Sequence, residues 1–454
     1  MAGPYHGHAR RGYTMTYKGV VRLLVAGVLV LCLLSPVWAK GPPSAQDDGK
    51  GKANGQTKLK GWRFAVFGDH RGDNKAYNVT LDGYKDGGFN KAVLADLATA
   101  IKGEDVEFAL DVGDLVTKYK INLKNTTADV LLTKELADWA VVWNTASGNL
   151  PIYPVRGNQE VTASNDVWRA FTGGMPGIGD LAPNGPPGEE GLTFAFTHKN
   201  CLFVGIDQYA DPLAHDPVTI GNVHWVSAAA QAWLDALLAA SDRPHTFVIG
   251  HTPAYETWDS SVATPFTTIK DGMATPNAKF TLAAITMRDA FWSGLGLVGA
   301  EYFCGHEHLY GRGVTTEAAA AVLRQTIIGN GGAPMVPVFA PAYDLLGVYC
   351  ESYTGIVLPG IPPVTLIDPL IATEASAQTT QVGYIVIQVH GASVTAKYVA
   401  APAKTVVVVE DGIKVSRVIR TGPFAVQDTW TIAEGDDEEE IEEPEEEEAE
   451  AATP

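Results

Sequence analysis

Cysteine is scarce: the chain has four in 454 residues, Cys32, Cys201, Cys304 and Cys350. No two stand at Cys-x2-4-Cys spacing, which excludes a thiolate zinc site, and so few cannot staple a fold of this size. Basic residues are also in short supply, 33 Lys and Arg against 52 Asp and Glu, for a formal charge of −19. A groove that holds nucleic acid by neutralising phosphates needs the opposite balance, so nucleic acid is not an expected partner. No segment repeats at a solenoid period. The one long apolar run, Leu23 to Leu34, falls short of the roughly 20 residues a membrane span prefers.

What is present suits a globular body. Apolar residues make up 46% and charged residues 19%, enough to build a substantial core. The length admits two or three domains, or one large α/β domain with insertions. Charge is unevenly spread. Residues 434 to 450 hold 13 acids and no base, and residues 1 to 39 hold four bases (Arg10, Arg11, Lys18, Arg22) and no acid, so the body between carries −10.

The N-terminal order is that of a secretory signal: a basic stretch to Arg22, the apolar run, then Val37-Trp38-Ala39 with small residues before a cut after Ala39. Residues 1–39 are therefore expected to be a signal peptide, with Met15 as an alternative start, and the protein to be exported to a periplasm or the extracellular space. No stable membrane span is expected after cleavage. Loss of Cys32 leaves an odd number of cysteines, so at most one disulfide can form within a monomer. Residues 40–60 read as a flexible leader, and 434–454 as a disordered acidic tail with too few apolar residues to fold.

From Trp62 onward, short apolar runs alternate with helical patterns, the mark of an α/β protein. Asn90 is a candidate N-cap for a helix that places Val93, Leu94, Leu97 and Ile101 on one face. A second helix is expected over 226–240, with Trp233, Leu234, Leu237 and Leu238 inward. The Gly- and Pro-rich stretch 173–191 and the polar stretches 210–222 and 257–279 read as surface insertions. Strands are expected at 383–390, 393–399 and 405–409.

Five runs share one design, an apolar strand followed by Gly and a polar residue able to bind metal. They end in Gly68-Asp69, Gly113-Asp114, Gly157-Asn158, Gly250-His251 and Gly305-His306. In α/β sheets the crevice beyond the carboxyl ends of the strands is where ligands bind. With His308, the set offers two carboxylates, one amide oxygen and three imidazoles. Mixed nitrogen and oxygen donors suit Mn, Zn or Fe. Six donors exceed the needs of one tetrahedral ion, and a bridged pair of metals is the economical way to use them.

The ordered set resembles the calcineurin-like metallophosphoesterase family, over roughly residues 61 to 400: Asp69-His70-Arg71, Gly113-Asp114, Gly157-Asn158-Gln159-Glu160, Gly250-His251 and Gly305-His306-Glu307-His308. The resemblance implies an α/β fold, a β-sandwich flanked by helices in α/β/β/α layers, as a domain over 61–400. Residues 401–433 then form C-terminal strands and an extension. It further implies that Asp69, Asp114 and His308 hold one metal, and that Asp114, Asn158, His251 and His306 hold a second, with Asp114 bridging.

Two positions depart from the family pattern. Arg71 stands where a histidine ligand is expected, and Gln159 where a histidine would protonate the leaving group or bind phosphate. Arginine cannot ligate a cation but can hold phosphate oxygens, and Gln159 can donate a hydrogen bond without transferring a proton. His70, the residue beside Asp69, is the alternative replacement for the missing ligand, disfavoured because neighbouring residues leaving a strand point in different directions. The expected activity is hydrolysis of small phosphate monoesters or diesters by metal-activated hydroxide, with one or two divalent ions. Asp69, Asn158, His251, Arg71 and Gln159 are expected to serve catalysis, and Arg71, Asn158 and Gln159 to bind substrate. The alternative is a catalytically degenerate protein of the same fold that binds a phosphate-bearing ligand or a protein partner in the envelope.

Overall fold

The computed structural model describes residues 61–73, 88–117, 128–210, 226–254, 281–316, 322–334, 365–368, 380–410 and 413–435. The signal segment, the leader and residues 436–454 of the acidic tail lie outside the described residues, as do most of 210–222, all of 257–279 and Cys350. The described residues all belong to one unit, Gly55–Pro454.

The first sheet contains β1 (Trp62–Phe67), β2 (Ala109–Asp111) and β3 (Ile152–Pro154) as parallel neighbours. The second begins with β4 (Phe194–His198), β5 (Cys201–Gly205), β6 (His245–Ile249) and β7 (Glu301–Cys304), and continues through β8 (Tyr310–Thr316), β9 (Val322–Ile328) and β10 (Thr365–Asp368). Its order is β10-β8-β9-β7-β6-β5-β4, with β5, β6, β7 and β9 parallel. The chain then returns to the first sheet. There β11 (Thr380–His390) pairs antiparallel with β1, followed by β12 (Ser393–Glu410), β13 (Ile413–Arg420) and β14 (Ala425–Ala433).

Alternation along the strands decides which residues meet. In β5, Cys201 and Phe203 face the first sheet, while Leu202 and Val204 face the helices, as a period of two requires. Phe64 of β1 meets Phe203 and Phe247 edge-on at centroid separations of 5.1 and 4.9 Å, joining the sheets face to face. A Phe64→Ala change would leave a cavity there, costing roughly 3 to 5 kcal/mol.

Helices cover both outer faces. Helix α1 (Lys91–Gly103) starts at Asn90, whose side chain accepts from the Val93 amide, and buries Val93, Leu94, Leu97 and Ile101. Helix α2 (Ala128–Ser147) lies beside it and sends Trp143 onto Phe67, three residues from Phe64 and on the opposite face of β1. After α3 (Asn165–Thr172), helix α4 (Ala228–Ala240) is capped by Ser227 and packs Leu234 and Leu238, with Phe291 and Trp292 of α5 (Thr281–Gly296), against the second sheet. The result is the α/β/β/α layering that the resemblance implies. Among the described residues, no helix is long and apolar enough to cross a membrane.

Two local readings are revised. The stretch 173–191 is more than a surface loop: Ile152 donates its amide to the Pro176 carbonyl, and Met175 and Ile178 are buried, so it covers the open edge of β3. The strands expected at 393–399 and 405–409 are one continuous β12, because Pro402 keeps its register against Gln381 and accepts from the Thr421 amide. The strand changes partners along its length: β14 pairs with 394–400, and β13 with 403–410.

Candidate metal centre

The five Gly-polar endings leave β1, β2, β3, β6 and β7 at one edge of the sandwich, and backbone hydrogen bonds lace them together. The Asp69 amide donates to Gly113 O at 2.9 Å, the His70 and Arg71 amides to Asp114 O, and the Gly305 amide to His251 O. Asp69, Asp114 and His306 all adopt positive φ, at 60°, 55° and 72°. Left-handed backbone is unfavourable for residues with side chains and tends to collect at functional sites. Here it turns three polar side chains inward at the ends of strands from both sheets.

The two carboxylates are deeply buried, and Asp69, Asp114 and His251 bring ligand atoms within 4.8 Å of one another. Asp69 Oδ2 accepts from the His306 amide at 2.9 Å, while its Oδ1 has no hydrogen-bond donor. Asp114 Oδ1 accepts from the Gln159 amide at 3.0 Å. Burial, with the Asp114 charge second, pushes Asp69 well above the usual carboxylate range. Asp114 is raised mainly by burial, against the lowering pull of Arg71.

The histidines have defined tautomers. His251 Nδ1 lies 2.8 Å from the Val112 carbonyl and His308 Nδ1 lies 2.6 Å from that of Pro334. A carbonyl can only accept, so each Nδ1 carries the proton and each Nε2 of a neutral ring presents a lone pair. Burial keeps both rings neutral: His251 is held well below its ordinary value, with His306 adding to the effect, and His308 is pushed down to about 3, with Arg71 adding to it. The lone pair of His251 Nε2 looks at Asp114 Oδ1 across 3.4 Å, and that of His308 Nε2 at Asp69 Oδ1 across 3.6 Å. With the carboxylates ionised, these are acceptors facing acceptors. Such pairs call for a cation, and a ring nitrogen locked by a main-chain carbonyl is the usual support of a metal-binding histidine. The donor set fits a divalent metal.

The other expected residues gather around this core. His306 Nδ1 stands 3.1 Å from His251 Nε2 and, in the tautomer that carries its proton there, donates to the same lone pair in the absence of a metal. One amide-head position of Asn158 lies 3.1 and 3.0 Å from Asp114 Oδ2 and Oδ1. With nitrogen there it donates to both; with oxygen there it joins them as a third acceptor facing a cation. In the oxygen orientation that same atom also accepts from Gln159 Nε2 at 3.3 Å. Arg71 Nε sits 3.3 Å from Asp114 Oδ2. His70 is turned away, its Nε2 3.0 Å from Asp111 Oδ2 and its Nδ1 3.1 Å from Gly331 O, so it supplies no replacement ligand.

Two supporting residues were given no role in the sequence reading, although Glu160 closes the third motif. Glu160 accepts from the Gly157 and Val116 amides at 2.8 and 3.0 Å, tying the third ligand loop to the second, and burial raises its carboxyl to about 8. Gln208 accepts from the His251 and Thr252 amides at 2.7 and 2.6 Å and donates to Thr252 O at 2.9 Å. Asp207, just before it, pairs with Arg156 at 2.6 Å and is not a ligand. Asn330 donates to Tyr398 and the Gln381 carbonyl, a structural clamp to the first sheet. His245 faces the Gly391 carbonyl, away from the site.

No family profile matches the chain in sequence. No curated protein matches it either. Among solved structures it is similar to a dimetal phosphatase from Danio rerio, at 14% identity and a TM-score of 0.43, over 74% of this chain and 95% of that one. It is similar to PhoD at 11% identity and a TM-score of 0.43, over 81% and 72% of the two chains. It is also similar to GAP50, the anchor in the inner membrane complex of Plasmodium, at 15% identity and a TM-score of 0.37, over 75% and 84%. These overlaps are loose and say nothing of the reaction.

Two face-to-face sheets between helical layers, with ligand-bearing loops from both sheets meeting at one edge, agree with the fold that the motif resemblance implies. Within this frame the first loop carries Arg71 and the third Gln159, and both lie at the Asp114 carboxylate.

Proposed function

We propose that this chain is an exported, metal-dependent hydrolase of small phosphate esters. The observation that carries the reading is the pair of lone-pair contacts at the site, His251 Nε2 toward Asp114 and His308 Nε2 toward Asp69, with both rings locked by main-chain carbonyls. Asp69, Asp114, Asn158, His251, His306 and His308 would hold Mn, Zn or Fe. A divalent ion there supplies Lewis acidity toward a phosphoryl oxygen and lowers the pKa of bound water.

The remaining roles belong to the chain's own side chains. Arg71 contributes a fixed positive charge at the rim, suited to holding phosphate oxygens. Gln159 and Asn158 offer amide hydrogen bonds to the phosphate. Since Gln159 cannot donate a proton to the departing oxygen, substrates with stable leaving groups, such as aryl phosphates, are favoured. The acidic body argues against polyanionic substrates. Export rests on the basic, apolar and small-residue order of residues 1–39.

The test is hydrolysis of p-nitrophenyl phosphate and bis-p-nitrophenyl phosphate by chelator-stripped protein, with and without added Mn(II) or Zn(II). Turnover that requires metal and is lost in His251→Ala supports the reading. Folded protein that turns over neither ester with any metal would sink it. The alternative of a degenerate phosphate-ligand binder, favoured by the Arg71 and Gln159 positions, would then stand if inorganic phosphate still bound.

A further inference from the structure

The two oxygens of Asp114 face different surroundings. Oδ1 is directed toward neutral groups, the His251 Nε2 lone pair at 3.4 Å and the Gln159 amide at 3.0 Å. Oδ2 faces a guanidinium, with Arg71 Nε at 3.3 Å. A cation that used both oxygens to bridge to a partner ion would have to share Oδ2 with this permanent charge. Arg71 is not casually placed. Its amide donates to Asp114 O, its Nη1 donates to Gly72 O at 3.3 Å, and it bridges to Phe89. Its side chain is only 15% exposed, so solvent screens it weakly.

Charge points the same way. With a metal bound, Asp69 and Asp114 are both ionised and bring two negative charges into the buried site, while the facing histidine nitrogens offer neutral lone pairs. Arg71 already cancels one of the two, so a single divalent ion leaves the centre at net +1, suited to a phosphate ester. A second would leave it at +3 with a guanidinium in contact. Among the described residues, the one cluster with three mutually close anionic or imidazole ligands is Asp69, Asp114 and His251.

We infer that Arg71 is a built-in cation standing in for one metal ion, so that the chain takes a single divalent ion, held between Asp69, Asp114 and His251. The inference rests on the metal reading above and deepens it. A bridged pair is the arrangement six donors suggest; here one of its two charges is covalently part of the chain. Replacing Arg71 by histidine removes the repulsion and adds a donor, which opens the second place.

The experiment is a Mn(II) titration of chelator-stripped full-length protein at micromolar free metal, too little to fill simple carboxylates of the acidic C-terminal sequence. Calorimetry gives the stoichiometry, and electron paramagnetic resonance distinguishes isolated from spin-coupled Mn(II). Wild type is expected to bind one equivalent with an uncoupled signal. Arg71→His is expected to bind two with a coupled signal, its second equivalent tightened roughly 100-fold or more. Circular dichroism checks that the variant folds, and the wild-type stoichiometry decides the matter if it does not. Two tight equivalents in wild type overturn the inference and leave the hydrolase reading intact. One equivalent in both proteins overturns the role given to Arg71. No binding by wild type overturns both readings together.

Discussion

Gly157 packs its bare Cα against the carboxylate of Asp114, so closely that a β-carbon there would overlap Oδ1. Gly305 stands in the same relation to Asp69 Oδ2. These glycines are spacers that let two loops close on two buried aspartates. Gly157→Ala is expected to push Asp114 out of line and weaken Mn(II) binding by roughly 10- to 100-fold, the range seen when a ligand's support is removed. Gly103→Ala, where an added β-carbon meets nothing, is the control. Calorimetry on both variants checks this, and equal affinities would refute the spacer role.

Gln208 supports His251 from behind through the His251 and Thr252 amides. Gln208→Ala leaves two buried N–H groups without an acceptor, at roughly 1 to 3 kcal/mol each. A fall of several degrees in melting temperature is expected, with metal affinity reduced about 10-fold or more. Gln208→Glu keeps the acceptor and should recover part of the affinity. A metal affinity unchanged in Gln208→Ala would show that His251 is held by its Val112 contact alone.

Gln159 touches the site at both ends, through its amide to Asp114 and its side chain to Asn158. If the chain lacks a proton donor for the leaving group, Gln159→His should raise kcat for alkyl phosphates by roughly 100-fold, within the range general acid catalysis provides. The gain for p-nitrophenyl phosphate should be far smaller. Equal gains for both esters would mean the residue acts on binding and not on the departing oxygen.

Stability should respond to pH through Glu301 on β7. Burial raises this carboxyl from 4.5 to about 7, partly countered by Arg324. Between those values the folded chain keeps a proton that the unfolded chain has released. The contribution is therefore full below about pH 4.5, falls as pH rises toward 7, and is flat above. The span is up to about 3 kcal/mol. Glu301→Gln keeps a group for the Thr326 hydroxyl bond and removes the titration. Urea unfolding at pH 5 and pH 7.5 should show a smaller pH difference in the variant than in wild type; identical differences would contradict the assignment.

Much of the architecture is legible along the chain. Asn90 announces its helix because a cap is a local bond to the Val93 amide. The five Gly-polar endings can be read because a strand that stops at glycine leaves a turn whose next side chain faces the crevice. The function of 173–191 as a cover for β3 was hidden, since Gly and Pro composition speaks of turns and not of what a turn lies against. Gln208 was hidden for the same reason: nothing in its own segment says that its side-chain oxygen accepts from the amides of a loop on the neighbouring strand.

The sequence by itself determined the inventory: strands and helices in α/β order, and two aspartates, an asparagine and three histidines at strand ends, with Arg71 and Gln159 beside them. Those follow from periodicity, capping and turn chemistry, which act over a few residues. The tertiary structure decided which atoms face which. Val112 and Pro334 select the histidine tautomers, Asp111 and Gly331 take His70 out of the site, and Asp114 divides its oxygens between His251 and Arg71. The physical reason is that a lone pair or a guanidinium is directed by partners brought together only when both sheets close, tens to hundreds of residues away along the chain.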